Sequence, residues 1–92
     1  MKATTRPRKS GYIGQVLARI RRRARIKQET IAAELRITQA SYSRIESGQA
    51  AITVDRLVEV SALLGTTPAE VLRLAVLESE LENKLTLATA AG

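Results

Sequence analysis

The segment at residues 28–48, QETIAAELRITQASYSRIESG, constrains the fold of this 92-residue chain more than any other feature. It predicts two short helices that are joined by a tight corner. One helix spans residues 28–35, and residues 36–37 form the corner. Thr38 caps the helix that follows, which runs to about Glu46. In chain order these are the second and third helices. The glycine at the end of the segment suits a left-handed C-terminal turn.

Aliphatic residues at helical spacing predict three further helices, at about residues 13–24, 54–64 and 68–84. Thr53 and Thr67 are the expected caps of the last two, and Pro68 suits a first helical position. No segment has the alternating pattern of a strand, so the fold class is all-α with five helices. The residues expected to face inward on the first and fourth helices are Ile13, Leu17, Ile20, Ala24, Val54, Leu57, Val58, Ser61 and Leu64.

The composition excludes several kinds of chemistry. The chain has no His and no Cys, which removes disulfides, thiol and imidazole catalysis and nearly every zinc site. Ser41 and Ser43 have no base to activate them, so we expect neither an enzyme nor a cofactor or metal site. No apolar stretch is long enough to span a bilayer, and we expect a soluble cytoplasmic protein associated with the nucleoid.

Charge is distributed unevenly along the chain. Residues 1–44 hold twelve Lys and Arg against two Glu, a net charge of +10, whereas residues 45–92 hold three basic and seven acidic residues, a net charge of −4. This asymmetry indicates a surface for a polyanion in the first half and a surface for protein in the second. Residues 1–11 are interpreted as a flexible basic arm, which either follows DNA or is simply a solvated tail.

The third helix carries side chains suited to the DNA major groove. Gln pairs with adenine, Arg with guanine, and Ala contacts the thymine methyl group. The alternative is an ordinary solvated helix with polar residues. The candidate base-contacting residues are Gln39, Ala40, Ser43 and Arg44.

Arg21 differs from the arginines around it. Arg22 and its neighbours project away from the apolar stripe of the first helix. They form either a solvated face or, less simply, the polar face of a helix that lies on a membrane surface. Arg21 lies four residues after Leu17, on the border of that stripe. A partly buried Arg at this position needs a carboxylate partner.

These features together resemble the lambda-repressor-like, Xre-type helix-turn-helix family over about residues 13–72. The similar elements are Gln28 and Ala32 in the second helix, SRIESG at residues 43–48, and LVEVSALLG at residues 57–65. The resemblance implies that the third helix is the recognition helix, that Gln28 braces Gln39, and that Glu46 pairs with Arg21. The resemblance, taken together with the basic first half of the chain, implies phosphate contacts for a further set of residues. These are Gln28, Lys27, Thr38, Ser41, Gln49 and Arg22.

The chain departs from the family pattern at several positions. Arg36 stands at a corner where Gly is usual, and Arg25 also replaces a common Gly. Lys27 stands where the cap of the second helix is usually Ser or Thr, and Ser61 stands where Ala is normal. A left-handed backbone at Arg36 would cost on the order of 1 kcal/mol.

The last helix extends beyond the need of a five-helix domain. We therefore divide the chain into the arm, a domain at residues 12–73, a dimerisation extension at residues 74–87 and a disordered tail at residues 88–92. The extension's apolar stripe either pairs with a second copy or folds back on its own core. It consists of Leu74, Leu77, Leu81 and Leu85.

Two functions fit the sequence. The first is a homodimeric, sequence-specific repressor that binds double-stranded DNA, because one recognition helix makes too few base contacts for useful specificity. The alternative is the antitoxin of a toxin–antitoxin pair, whose acidic, leucine-rich half binds a toxin, or a co-regulator, while its first half binds DNA.

Overall fold

A computed structural model describes the backbone of residues 10–91 and the side chains of residues 11–87. The described residues form five helices and no strand, so the predicted all-α class is confirmed. Among these residues no single helix is long and apolar enough to cross a membrane, and only the last two helices together would be, across a 104° bend. The helices are α1 (Ser10–Arg23), α2 (Gln28–Leu35), α3 (Gln39–Ser47), α4 (Val54–Leu63) and α5 (Pro68–Ala91).

All five helices contribute to one aliphatic core around Tyr42, which is fully buried. Gly14 sets how closely α1 approaches α3, because a Cβ there would collide with the carbonyl oxygens of Ile45 and Glu46. This close contact fixes α3 against α1 and leaves the other face of α3 outside. The other core residues are Val16, Leu17, Ile31, Ala32, Leu35, Ile45, Leu57, Val60, Leu64, Val71 and Ala75.

The three predicted threonine caps are confirmed. The hydroxyl oxygens of Thr38, Thr53 and Thr67 each accept a hydrogen bond, at 3.0–3.1 Å, from the backbone N–H three residues later. Each bond satisfies one of the free N–H groups of the first helical turn. The starts of α3, α4 and α5 are therefore fixed by local sequence.

At both ends of the described segment, the helices extend further than we predicted. The predicted arm at residues 1–11 lies outside the described residues except for its last two, which belong to α1. The first turn of α1 lies against the C-cap of α3, where a Cβ on Gly48 would lie 2.9 Å from the Gly11 Cα. At the other end α5 continues through residues 88–91, predicted as a disordered tail, since no Gly or Pro interrupts its Leu- and Ala-rich sequence.

The inward face of α4 differs from the predicted one. Val54 is 76% exposed and Val58 is 49% exposed, whereas Val60 is fully buried. The face that packs on α2 and α5 is shifted along the helix surface, because the alternating valines of α4 fit two helical stripes equally well and only tertiary packing selects one. Ser61 is buried as expected, and its hydroxyl has no hydrogen-bond partner among the described residues.

Two arginines occupy the left-handed backbone region. Arg25 and Arg36 both have φ of 61°, the conformation expected where the family usually has Gly. At the α2–α3 corner, the Arg36 and Ile37 N–H groups donate to the carbonyls of Ala33 and Ala32, at 3.1 and 3.0 Å. These bonds close α2 and force the left-handed backbone that a Cβ disfavours.

We therefore expect Arg36→Gly to raise the free energy of unfolding by about 1 kcal/mol, because it removes the Cβ from the left-handed corner. Arg36→Ala is the control: it removes the same charged group but keeps the Cβ, so it should give little of this gain. Urea denaturation of the two variants measures the difference. Equal stability of the Gly and Ala variants would contradict the strain at this corner.

Candidate nucleic-acid interface

Helix α3 presents one buried and one exposed face. Tyr42, Ile45 and Glu46 are buried in the domain, while Gln39, Ala40 and Arg44 are exposed and Ser43 is half-buried. The four predicted base-contacting residues therefore lie together on the outer side of a helix whose inner side is anchored. At its start, the Thr38 hydroxyl also donates to the Ser41 hydroxyl at 2.9 Å, which places both near the outer edge.

A buried ion pair joins α1 to α3. The Nε of Arg21 lies 2.7 Å from Oε2 of Glu46, and its Nη2 lies 3.0 Å from Oε1. The remaining Nη1 donates to the carbonyl of Ile26 at 2.8 Å, in the loop before α2. Glu46 is thus the carboxylate that the position of Arg21 required, and this one guanidinium connects α1, α3 and the intervening loop.

Hydrogen bonding determines the charge state of this pair. Burial raises the pKa of Glu46, but hydrogen bonds from Arg21 and Gln28 outweigh burial and hold that pKa below its usual value. The hydrogen bond to Glu46 raises the pKa of Arg21. The Tyr42 hydroxyl is buried beside the carboxylate without a regular hydrogen bond, and burial raises its pKa. Glu46 is therefore an ionised acceptor throughout the neutral pH range.

The ion pair extends to the exposed face of α3. The Nε2 of Gln28, at the start of α2, donates to Oε1 of Glu46 at 2.8 Å. The Oε1 of Gln28 in turn accepts from Nε2 of Gln39 at 3.4 Å, at the long end of hydrogen bonding. The bracing of Gln39 by Gln28 that the resemblance implied is present in the structure.

A basic groove lies between α1 and α3, beside the exposed face. Arg22, the one α1 residue to which we assigned a phosphate contact, lines it. Gln15 and Arg23 also line the groove. We did not predict them as site residues, although their spacing places them on the polar side of α1. Arg19 lines it too, but its guanidinium pairs with Glu78 of α5.

Lys27 and Gln49 are exposed at the two ends of the helix-turn-helix segment. Lys27 is the N-cap residue of α2 and makes no side-chain capping hydrogen bond. The backbone N–H of Gln49 donates to the carbonyl of Arg44 at 2.9 Å, just beyond α3. Both side chains are therefore available to a ligand that lies along α3.

The leucine stripe of α5 lies on a different helix from the residues predicted to contact DNA. Leu74 is half-buried and packs on the domain core, whereas Leu77, Leu81 and Leu85 are exposed. Leu72, earlier on the same helix, is exposed as well. The exposed apolar surface of α5 therefore includes Leu72, which is not in the predicted stripe, and it does not include Leu74.

The corner between α2 and α3, with an exposed hydrogen-bonding helix beside a basic groove, defines the class of helix-turn-helix DNA-binding regulators. The chain belongs to the lambda-repressor-like, Xre-type helix-turn-helix family, whose profile matches residues 17–71.

Solved structures share the fold. A structure of the clp gene regulator ClgR from Corynebacterium glutamicum has a TM-score of 0.86 at 21% identity, covering 95% of this chain and 93% of that one. A second ClgR structure has a TM-score of 0.72 at 24% identity, covering 77% and 92%. No curated protein matches the chain.

We expect Glu46→Gln to lower the free energy of unfolding at pH 7 by about 3 kcal/mol, because it leaves the buried guanidinium of Arg21 without its counter-charge. Since the folded-state pKa of Glu46 is lowered, the wild-type stabilisation is complete above the usual carboxyl pKa. It is lost as pH falls through the lower folded value. Urea denaturation at several pH values should therefore show the two proteins converging in acid.

The control is Glu70→Gln, which neutralises a carboxylate in the exposed pair with Arg73. Its effect at pH 7 should be much smaller, because solvent screens that pair. A stability difference between wild type and Glu46→Gln that stays constant from neutral to acidic pH would contradict the assignment.

Proposed function

We propose that this protein is a sequence-specific transcriptional regulator, a homodimeric repressor that inserts α3 into the DNA major groove and occludes a promoter. One observation carries the proposal above all. Gln39 is exposed on α3, yet its amide is held through Gln28 by a buried ion pair. A merely solvated glutamine gains nothing from such bracing, whereas a side chain that reads a base requires a fixed orientation.

Four side chains on the exposed face of α3 contact bases, each in a different way. Gln39 pairs with an adenine and Arg44 with a guanine, while Ala40 packs on a thymine methyl group. The Ser43 hydroxyl, at the edge of the basic groove, donates to or accepts from a neighbouring base. Arg44 has a second possible role on a phosphate, because it lies nearest the end of α3.

Phosphate contacts surround this face and set the register of the helix. Arg22 reaches one strand from the basic groove, and Lys27 and Gln28 reach it from the start of α2. Thr38, Ser41 and Gln49 bind near the two ends of α3. The net charge of +10 over residues 1–44 adds a sequence-independent attraction to DNA within the cell.

The exposed leucines of α5 support a dimer. Leu77, Leu81 and Leu85 recur every fourth residue on a helix that extends beyond the core-packing part of the domain. Pairing α5 with its copy would remove this apolar stripe from water and place two α3 helices on half-sites about 34 Å apart. The same stripe supports the second candidate, an antitoxin that covers a basic toxin with its acidic half.

We expect Gln39→Ala to cost about 1–3 kcal/mol of discrimination at one base pair, because it removes a bidentate contact to a base edge. Arg22→Ala should instead weaken binding to all sequences by a similar factor, because it removes a phosphate contact. Fluorescence anisotropy on selected and scrambled duplexes separates the two effects. Equal losses on both duplexes for both variants would contradict this division of roles.

We expect the purified chain to sediment as a dimer at tens of micromolar, and Leu81→Ser to shift it to monomer. The matched control is Val58→Ser on α4, since Val58 and Leu81 are 49% and 52% exposed. The control should leave the dimer intact because it lies outside the stripe. A wild-type monomer would contradict the dimer, and co-purification with a second basic chain would favour the antitoxin.

A further inference from the structure

We propose that Glu46 is a positioning residue for DNA reading: through Gln28 it fixes which end of the Gln39 amide faces the base. This inference rests on the proposed function, because it concerns how α3 reads DNA. It goes beyond a structural role for the Arg21–Glu46 pair, since that role requires no particular orientation of Gln39.

The first step is the orientation of the Gln28 amide. A carboxylate paired with Arg21 is ionised and can only accept hydrogen bonds. The group of Gln28 that lies 2.8 Å from Oε1 of Glu46 must therefore be its NH2 group. A reversed amide would place the Gln28 carbonyl oxygen against a negative charge, and the repulsion makes that orientation unfavourable.

The second step transfers this orientation to α3. One N–H of the Gln28 amide is donated to Glu46, which leaves the second N–H for a phosphate and turns the carbonyl oxygen toward Gln39. The atom of Gln39 that lies 3.4 Å away must then be a donor, Nε2. Reversal of the Gln39 amide would oppose two carbonyl oxygens, and this repulsion makes the reversed state unfavourable.

The third step concerns the hydrogen-bonding groups of Gln39 that remain available to DNA. One N–H of Gln39 is used by Gln28, which leaves one N–H and the carbonyl oxygen. A donor beside an acceptor matches N7 and the N6 amino group of adenine. Guanine presents two acceptors at these positions, so the carbonyl oxygen of Gln39 would be left without a donor. The relay therefore selects adenine.

Glu46→Gln tests this relay directly, because a glutamine at position 46 can donate as well as accept. The Gln28 amide is then free to take either orientation, and so is that of Gln39. Glu34→Gln, on the exposed face of α2, is the matched control that removes one negative charge away from the relay. Gln39→Ala and the double variant Gln39→Ala/Glu46→Gln complete a double-mutant cycle, which measures the coupling between the two residues.

The experiment compares the affinity of each variant for two duplexes. One is the sequence enriched by wild type from random DNA, and the other replaces the adenine read by Gln39 with guanine. The ratio of the two affinities is the readout, because any unfolded fraction of a variant lowers both equally. A contact of this kind gives wild type a preference for adenine of about 5- to 150-fold.

We expect Glu46→Gln to reduce this ratio at least about 5-fold, toward the value of Gln39→Ala. Glu34→Gln should leave the ratio unchanged, and Glu46→Gln should add nothing in the Gln39→Ala background. Equal losses of Glu46→Gln on both duplexes would overturn the relay while leaving the proposed function intact. A base other than adenine at that position would also overturn the relay. A wild type that enriches no sequence would overturn both.

A measurement on wild type covers the case in which Glu46→Gln does not fold. In the 15N-labelled protein, the side-chain NH2 protons of Gln28 should exchange slowly and resonate downfield, because one is donated to a carboxylate. Gln15 and Gln49 are exposed internal references. A Gln28 amide with the shifts and exchange rates of these two residues would overturn the relay.

Discussion

The pairing of Arg21 with Glu46 is the interaction on which the rest of this structure depends. It joins α1 to α3 beneath the exposed face, and its third hydrogen bond holds the loop that leads into α2. Two charges inside a thin aliphatic core are costly unless each has its partner. The pair therefore favours the arrangement that brings α1 against α3, and in that arrangement Gln39 and Arg44 are exposed.

Two surfaces of the molecule lie on different helices, and contacts between those helices connect them. The residues that we propose for DNA contact lie on α2, α3 and the basic side of α1, whereas the exposed leucines lie on α5. The polar contacts between α5 and α1 include the pairing of Arg19 with Glu78 and the hydrogen bond that the Tyr12 hydroxyl donates to Glu82 at 2.6 Å. The position of α5 thus determines how a second copy would present its own α3.

Local sequence could predict the elements, but not every face they bury. The caps at Thr38 and Thr53 are encoded by hydrogen bonds within three residues, and the bounds of α2 follow from its short apolar stripe. The inward face of α4 could not be predicted, because Val58 and Val60 are equally apolar and only packing against α2 and α5 decides between them. For the site, the residues on α3 could be predicted, because its polar side chains lie together on one face of a helix whose other face is apolar. The groove residues Gln15 and Arg23 were not, since they become part of the site only when α1 packs beside α3.

The most direct test of the central claim is a crystal structure of the protein with the duplex that it selects from random DNA. We expect α3 to lie in the major groove, with Gln39 and Arg44 within hydrogen-bond distance of base edges and Arg22 near a phosphate. A complex in which the side chains of Gln39 and Arg44 face solvent or lie beneath another protein chain would contradict it.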